Sequence, residues 1–173
     1  PRVPAAPGHR PSRLRALLAD LLPLALAGEK AVVFSAHRPA LETLAAALDQ
    51  EGIRWRKVSA RAKAAHAEEH VSDWSQRADT PVFLLHAGVA AAGLTLVAAR
   101  HVFVLDVLTH GAEEAQALNR CHRIGQTRDV ACTVYYAPRT VEERLLAYRG
   151  REAVRTGGGE ASALGVLSGA GAA

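Results

Sequence analysis

The spacing of apolar positions changes several times along the chain, and each change marks an element. Leu14, Leu17, Leu18, Leu21 and Leu22 recur at helical spacing between a candidate N-cap at Ser12 and a stop at Gly28, with Pro23 expected to kink or end the helix. AVVFS at 31–35 is a continuous, β-branched apolar run of strand length. PALETLAAALDQEG returns to helical spacing and closes at Gly52, and IRWRKVS at 53–59 alternates as a strand does. Residues 62–77 again read as helix, with Trp74 facing inward. PVFLLHAG at 81–88 and HVFVLD at 101–106 are two further continuous apolar runs. Between them lies VAAAGLTLVAA, where a short helical turn is expected around Gly93. EEAQALNRCHRI at 113–124 reads as helix and VACTVYYA at 130–137 as strand. Thr140, followed three residues later by Glu143, forms a capping box that opens the helix VEERLLAYR.

Strands that are apolar throughout are buried on both faces, and their alternation with helices predicts an α/β fold with a mainly parallel central sheet between two helical layers. Right-handed crossovers then put every strand's C-terminal end on one edge, where ligands of such sheets bind. Ser35 and Ala36, Ser59 to Arg61, His86 to Gly88, and Asp106 onward are the residues this places at that edge. The proline-rich PRVPAAPGHRP at 1–11 reads as a linker, 12–150 as one domain, and the Gly/Ala-rich 151–173 as a disordered tail with too few large apolar residues to pack.

Composition adjusts this picture modestly. The 173 residues suit one domain with its own core. Lys and Arg number 21 against 17 Asp and Glu, a net charge of +4, which permits an anionic partner without requiring one. Arg54, Arg56, Lys57, Arg61, Lys63 and His66 crowd together, either to face a phosphate backbone or to form a solvated rim. Cys121 and Cys132 lack metal-ligand spacing and read as reduced thiols of an intracellular protein, with no metal site expected. No apolar run reaches the roughly 18 residues a membrane helix needs, so a soluble protein is expected. The chain contains no Met, and a longer parent polypeptide is expected.

The most unusual stretch is QALNRCHRIGQ at 116–126. On a continuous helix Gln116, Arg120 and Arg123 would share one face, presenting an amide and two guanidinium forks. Such planar, permanently charged donors suit a triphosphate, whose charge in phosphoryl transfer is spread over several oxygens. Salt bridges to Glu113, Glu114 or Asp106 are the other reading of the same spacing. His122 falls on another face, where packing or a structural hydrogen bond is expected.

Q-x-x-x-R-x-x-R followed by I-G-Q resembles the sixth helicase motif of superfamily 2, and H-R-I-G-Q in particular is similar to the Swi/Snf-type ATPases. KAVVFSAH at 30–37 resembles that family's fourth motif, FLLHAGVAAAGLTLVAARHVFVLD at 83–106 its fifth with the following strand, and TVEERLL at 140–146 its closing helix. Together they span roughly residues 12–150. The resemblance implies a RecA-like three-layer sandwich, the second lobe of a nuclear, DNA-dependent translocase or chromatin remodeller. Its ATP and Mg2+ would be held chiefly by an upstream RecA-like lobe, and duplex DNA or a nucleosome would be the track. Arg123 then stands where the arginine finger belongs, Arg120 supports it, Gln116 bridges to nucleotide or partner lobe, and Gly93 lets the fifth-motif backbone turn closely. Arg54, Arg56, Lys57, Arg61 and His86 are the positions that would meet DNA.

The departures from the family pattern are specific. His86, Ala87 and Gly88 replace the usual start of the fifth motif, Thr95 replaces its Asn, Thr109, His110 and Gly111 replace Trp-Asn-Pro, and VSARAK stands where Asp-Gly is usual. They resemble the branch that joins such a motor to linker-histone-like, PHD and RING modules in ubiquitin ligases. A degenerate lobe scaffolding such a ligase, with a ubiquitin-conjugating enzyme engaged through modules outside this chain, is the competing reading. Gly-Lys-Ser/Thr after a strand, the phosphate cradle of P-loop enzymes, does not occur here; GEK at 28–30 precedes a strand. The chain alone is expected neither to bind ATP tightly nor to hydrolyse it.

Overall fold

The structure, a computed structural model, describes residues 12–58, 64–90, 93–107, 115, 119–155 and 166–169. The elements in chain order are α1 (Ser12–Leu26), β1 (Ala31–Ser35), α2 (Arg38–Gln50), β2 (Trp55–Lys57), α3 (Ala64–Gln76), β3 (Val82–His86), α4 (Ala87–Ala90), β4 (His101–Val104), β5 (Ala131–Tyr136), α5 (Val141–Arg155) and β6 (Val166–Gly169). Strand order is β2-β3-β1-β4-β5-β6, with every pairing parallel. β1 is flanked by β3 and β4, so the sheet reverses its winding direction there. The expected α/β architecture with a parallel sheet is what the chain adopts.

Because side chains alternate across a strand, the apolar runs supply two cores. Val32, Phe34, Phe83, Leu85, Val102 and Val104 face one way, against α3 through Ala67, Val71 and Trp74 and against Leu94, Leu96, Ala99 and Cys121. Ala31, Val33, Val82, Leu84, Phe103 and Tyr135 face the other way, against the leucines of α1 and α2. Trp74 is fully buried, as its sequence context predicted, and tilts against Phe83 at 5.0 Å between ring centroids. The Tyr135 hydroxyl donates to Asp20 at 2.5 Å, pinning α1 to the sheet. Burial and that carboxylate push the phenol's pKa well up.

Both glycine stops work by one mechanism. Gly28 and Gly52 take φ of 74° and 71°, and each chain end folds back so that Gly28 N–H reaches Ala25 and Glu29 N–H reaches Leu24, with Gly52 to Asp49 and Ile53 to Leu48 in the second helix. These paired bonds are the Schellman closure, which only a residue without a Cβ enters cheaply. Lys30 caps a third helix: its ammonium donates to the carbonyls of Trp74 and Arg77, both at 2.5 Å, and Thr80 at 3.1 Å. Partial burial holds its pKa below the usual lysine value.

Several expectations are corrected. α1 runs through Pro23 to Leu26, so the proline does not end it; Pro23 and Ala19, whose carbonyl loses its helical donor, are both exposed, which leaves that carbonyl open to solvent. The helical turn expected around Gly93 lies earlier, at 87–90, and Gly93 to Leu96 are irregular. α5 continues past Gly150 to Arg155, and Val166–Gly169 pairs with β5 as an edge strand, within what the sequence suggested was a disordered tail. Edge pairing is made of main-chain bonds and needs few apolar side chains, which composition does not register. Thr140 caps α5 by accepting from Glu142 N–H at 3.2 Å, but Glu143 reaches the N–H of Arg139 at 2.7 Å, one residue earlier than a regular capping box, where φ is 61°. The linker expected at 1–11 lies outside the described residues.

Candidate functional site

The segment containing the arginines is not one continuous helix. Residues 119–121 are helical, His122 and Arg123 bend away, and Gln126 N–H closes a turn on Arg123 C=O at 2.9 Å. Gly125, third in that turn, has φ 106°, a value that makes the turn possible and excludes a helix. The I-G-Q of the sequence is therefore a turn signal, and it corrects the expectation that Arg120 and Arg123 lie along one helical face. Gln116 lies outside the described residues, as do Glu113 and Glu114.

The turn is laced onto the segment between α4 and β4. Leu96 N–H donates to Arg120 C=O at 2.8 Å. The Gln126 amide donates to Val97 and Ala99 C=O, each at 2.9 Å, while its oxygen accepts from Arg128 N–H at 3.1 Å. Between these ties Arg123 Nη1 donates to Thr95 Oγ1 at 3.1 Å and to Gly93 C=O at 3.4 Å. Gly93 meets this contact with φ 84°, and open space surrounds its missing Cβ, so the conformation and not crowding calls for glycine. Arg123 is exposed, Arg120 partly buried, and Ile124 stands fully exposed beside them. His122 is also exposed, not packed as expected, and with Arg123 and Arg128 it lines an open groove of about 530 Å³ along residues 122–130. Cys121, directly behind, is fully buried, and burial pushes its thiol to a pKa of about 12, an inert group at neutral pH.

The strand ends form a second cluster. Asp106, 6% exposed, accepts from the Ser35 hydroxyl at 2.5 Å and from Ala36 N–H at 2.9 Å. Arg13 approaches the same carboxylate at 3.7 Å, donates to Leu105 C=O at 3.3 Å, and pairs with Glu142 at 2.6 Å. Glu142 in turn accepts from Ala137 N–H at 2.7 Å. Asp106 therefore pairs with Arg13, not with the arginines of the turn. His86 Nε2 bonds to Ala36 C=O at 2.9 Å and its Nδ1 accepts from Gly88 N–H at 3.1 Å, a pattern that assigns the neutral Nε2–H tautomer. Both ring nitrogens are occupied within the lobe.

The basic run sits on edge strand β2 and its approach. Arg54 is bonded to Asp79 and Arg56 to Asp73 at 3.2 Å. The Lys57 ammonium lies 5.5 Å from the Trp55 ring centroid. Asp79 and Asp73 carry carboxyls held below the usual range, Asp73 chiefly by its hydrogen bond from Arg77 and Asp79 chiefly by that from Thr80. Arg61 lies outside the described residues. Sequence reasoning noted Thr95 only as a departure from the fifth motif, without its contact to Arg123, and missed Arg13; no motif marks an arginine that meets its carboxylates 93 and 129 positions later.

Comparison with known proteins identifies the family and the fold. The family described as the helicase conserved C-terminal domain matches residues 12–125, more than half of the chain. DNA repair protein RAD5 of Cryptococcus neoformans is 33% identical over 138 residues, covering 78% of this chain and 12% of that protein. The human E3 ubiquitin-protein ligase SHPRH is 30% identical over 142 residues, covering 81% and 8%. The chain thus spans a small part of the curated relatives it matches. Among solved structures, the C-terminal part of the Fun30 ATPase domain aligns with a TM-score of 0.72 at 24% identity, covering 78% of this chain and 44% of that one, which speaks for the fold. The chain belongs to the helicase conserved C-terminal domain family, with a RecA-like lobe fold and with relatives that are SNF2-type, helicase-like proteins such as RAD5 and SHPRH.

Proposed function

We propose that this lobe completes the ATP site of a two-lobed, DNA-dependent translocase, with Arg123 as its arginine finger. The observation that carries the reading is the placing of Arg123: a guanidinium at the surface, at the start of a glycine turn, tied to the neighbouring loop through one nitrogen. Arg120, one helical turn earlier, adds a second cation, and Gln116 is assigned to bridge nucleotide and partner lobe. The Gly93 backbone brings the loop against the finger. Bound ATP with Mg2+ supplies the transferable phosphoryl group, and the parent's upstream lobe is assigned the metal. What this chain provides is positive charge aimed at phosphate oxygens, since Arg forks match such oxygens and never lose their proton. Duplex DNA or a nucleosome is the proposed track and the nucleus the proposed compartment, in keeping with relatives named for DNA repair.

The test is ATP hydrolysis by the two-lobed parent, with and without duplex DNA. Arg123→Ala is expected to lower turnover by about three to five orders of magnitude, the range an arginine finger contributes in related phosphoryl transfers. A folded variant with unchanged turnover refutes the assignment. The relative named as an E3 ubiquitin-protein ligase favours a second reading, in which the lobe is a scaffold within a ligase; DNA-stimulated turnover by the parent would reject it.

A further inference from the structure

Arg123 is exposed, yet its guanidinium is held. Thr95 Oγ1 at 3.1 Å and Gly93 C=O at 3.4 Å both engage Nη1, and among the described residues Nη2 and Nε meet no acceptor, which leaves their donors for another partner. An arginine on a long, flexible stem loses much rotamer freedom when it binds an anion, and a contact that fixes one edge beforehand removes part of that loss. Among the described residues of that loop, Thr95 is the one whose side chain bonds to Arg123.

We infer that Thr95 is a positioning residue for Arg123: its hydroxyl, with the Gly93 carbonyl, clamps one edge of the guanidinium so that the opposite edge meets the phosphate already oriented. This rests on the arginine-finger reading and names the group that aims the finger. The seam around the contact survives loss of the hydroxyl, because Leu96 N–H still bonds Arg120 and Gln126 still bonds Val97 and Ala99. Thr95 is itself exposed, so Val fits there without disturbing a core. Thr95→Val removes the hydroxyl and keeps the branched shape.

In the two-lobed parent, with saturating duplex DNA, Thr95→Val is expected to lower kcat about fivefold with KM for ATP nearly unchanged, the effect of one hydrogen bond. Thr95→Ser, which keeps the hydroxyl, should restore kcat. In the cycle with Arg123→Lys, the two losses should not multiply, because Thr95 acts only through the finger. Unchanged kcat in Thr95→Val, failure of Thr95→Ser to restore it, or multiplying losses each overturns the inference while leaving the finger in place. A silent Arg123→Lys removes the finger reading itself, and with it the clamp, which separates the two failures.

Discussion

Two clusters flank the motifs of this lobe, and they are built on opposite terms. Around Asp106 the strand ends are sealed: a buried carboxylate accepts from a hydroxyl and a backbone N–H, with an arginine alongside. Around Arg123 the guanidinium is exposed, held at one nitrogen by a hydroxyl and a carbonyl of a glycine loop. The strand-end edge is where ligands of parallel sheets usually bind. Among the described residues that edge is spent on self-bonding, whereas Arg123 on the turn keeps donors at Nη2 and Nε that meet no described acceptor. Full satisfaction rigidifies a site, while donors left over can recognise a ligand.

The sharpest way to separate the clusters is to delete the centre of each. Against the loss of turnover expected from Arg123→Ala, Asp106→Ala should act on the fold, costing about 2–4 kcal/mol because the Ser35 hydroxyl and the Ala36 N–H lose the buried carboxylate they share. Chemical denaturation of the chain reads this directly, and a cost below about 1 kcal/mol would mean that the cluster is no more than surface charge. Gly93→Ala comes next. It forces a Cβ into φ 84°, with an expected cost of about 1–2 kcal/mol, and it disturbs the carbonyl that Arg123 meets. Thermal melting checks the first effect and ATP turnover of the parent the second; a fully stable, fully active Ala variant would show that the loop tolerates another conformation.

The smallest effect is on pH. Burial, then the charge of Arg100, hold the His101 pKa below its ordinary 6.5. The unfolded chain therefore takes up this proton first, and stability should decline as pH falls below about 6.5, being fully present above it. Asp73 and Asp79, with lowered pKa values, add to stability above the ordinary carboxyl value of 3.8 and lose that contribution only as pH falls through their folded values. His101→Gln should flatten the upper window and leave the lower one. A slope between pH 7 and 5 that survives the substitution would assign it to another group.

Much of this was legible in one dimension. Continuous apolar runs placed β1, β3 and β4, because a strand buried on both faces has no room for polar alternation. Gly28 and Gly52 placed two helix ends, since the closing conformation is strained for any other residue. The HRIGQ run marked the site itself. It also misled, because its arginine spacing fits a helix while its glycine ends one, and spacing alone does not rank the two.

Sequence by itself determined the layers, the order of elements from α1 to α5 and the presence of two arginines in one short motif, all set by local backbone preference and by which side chains must leave water. Tertiary structure alone decided that Asp106 belongs to Arg13, that Arg54 and Arg56 are already paired, that Lys30 caps a helix 44 residues away, and that Thr95 holds Arg123. Those pairings join residues far apart in the chain through atoms that meet only once the sheet has formed. Short-range spacing carries no trace of them, because hydrogen bonds and ion pairs depend on distance in space, and the fold sets that distance.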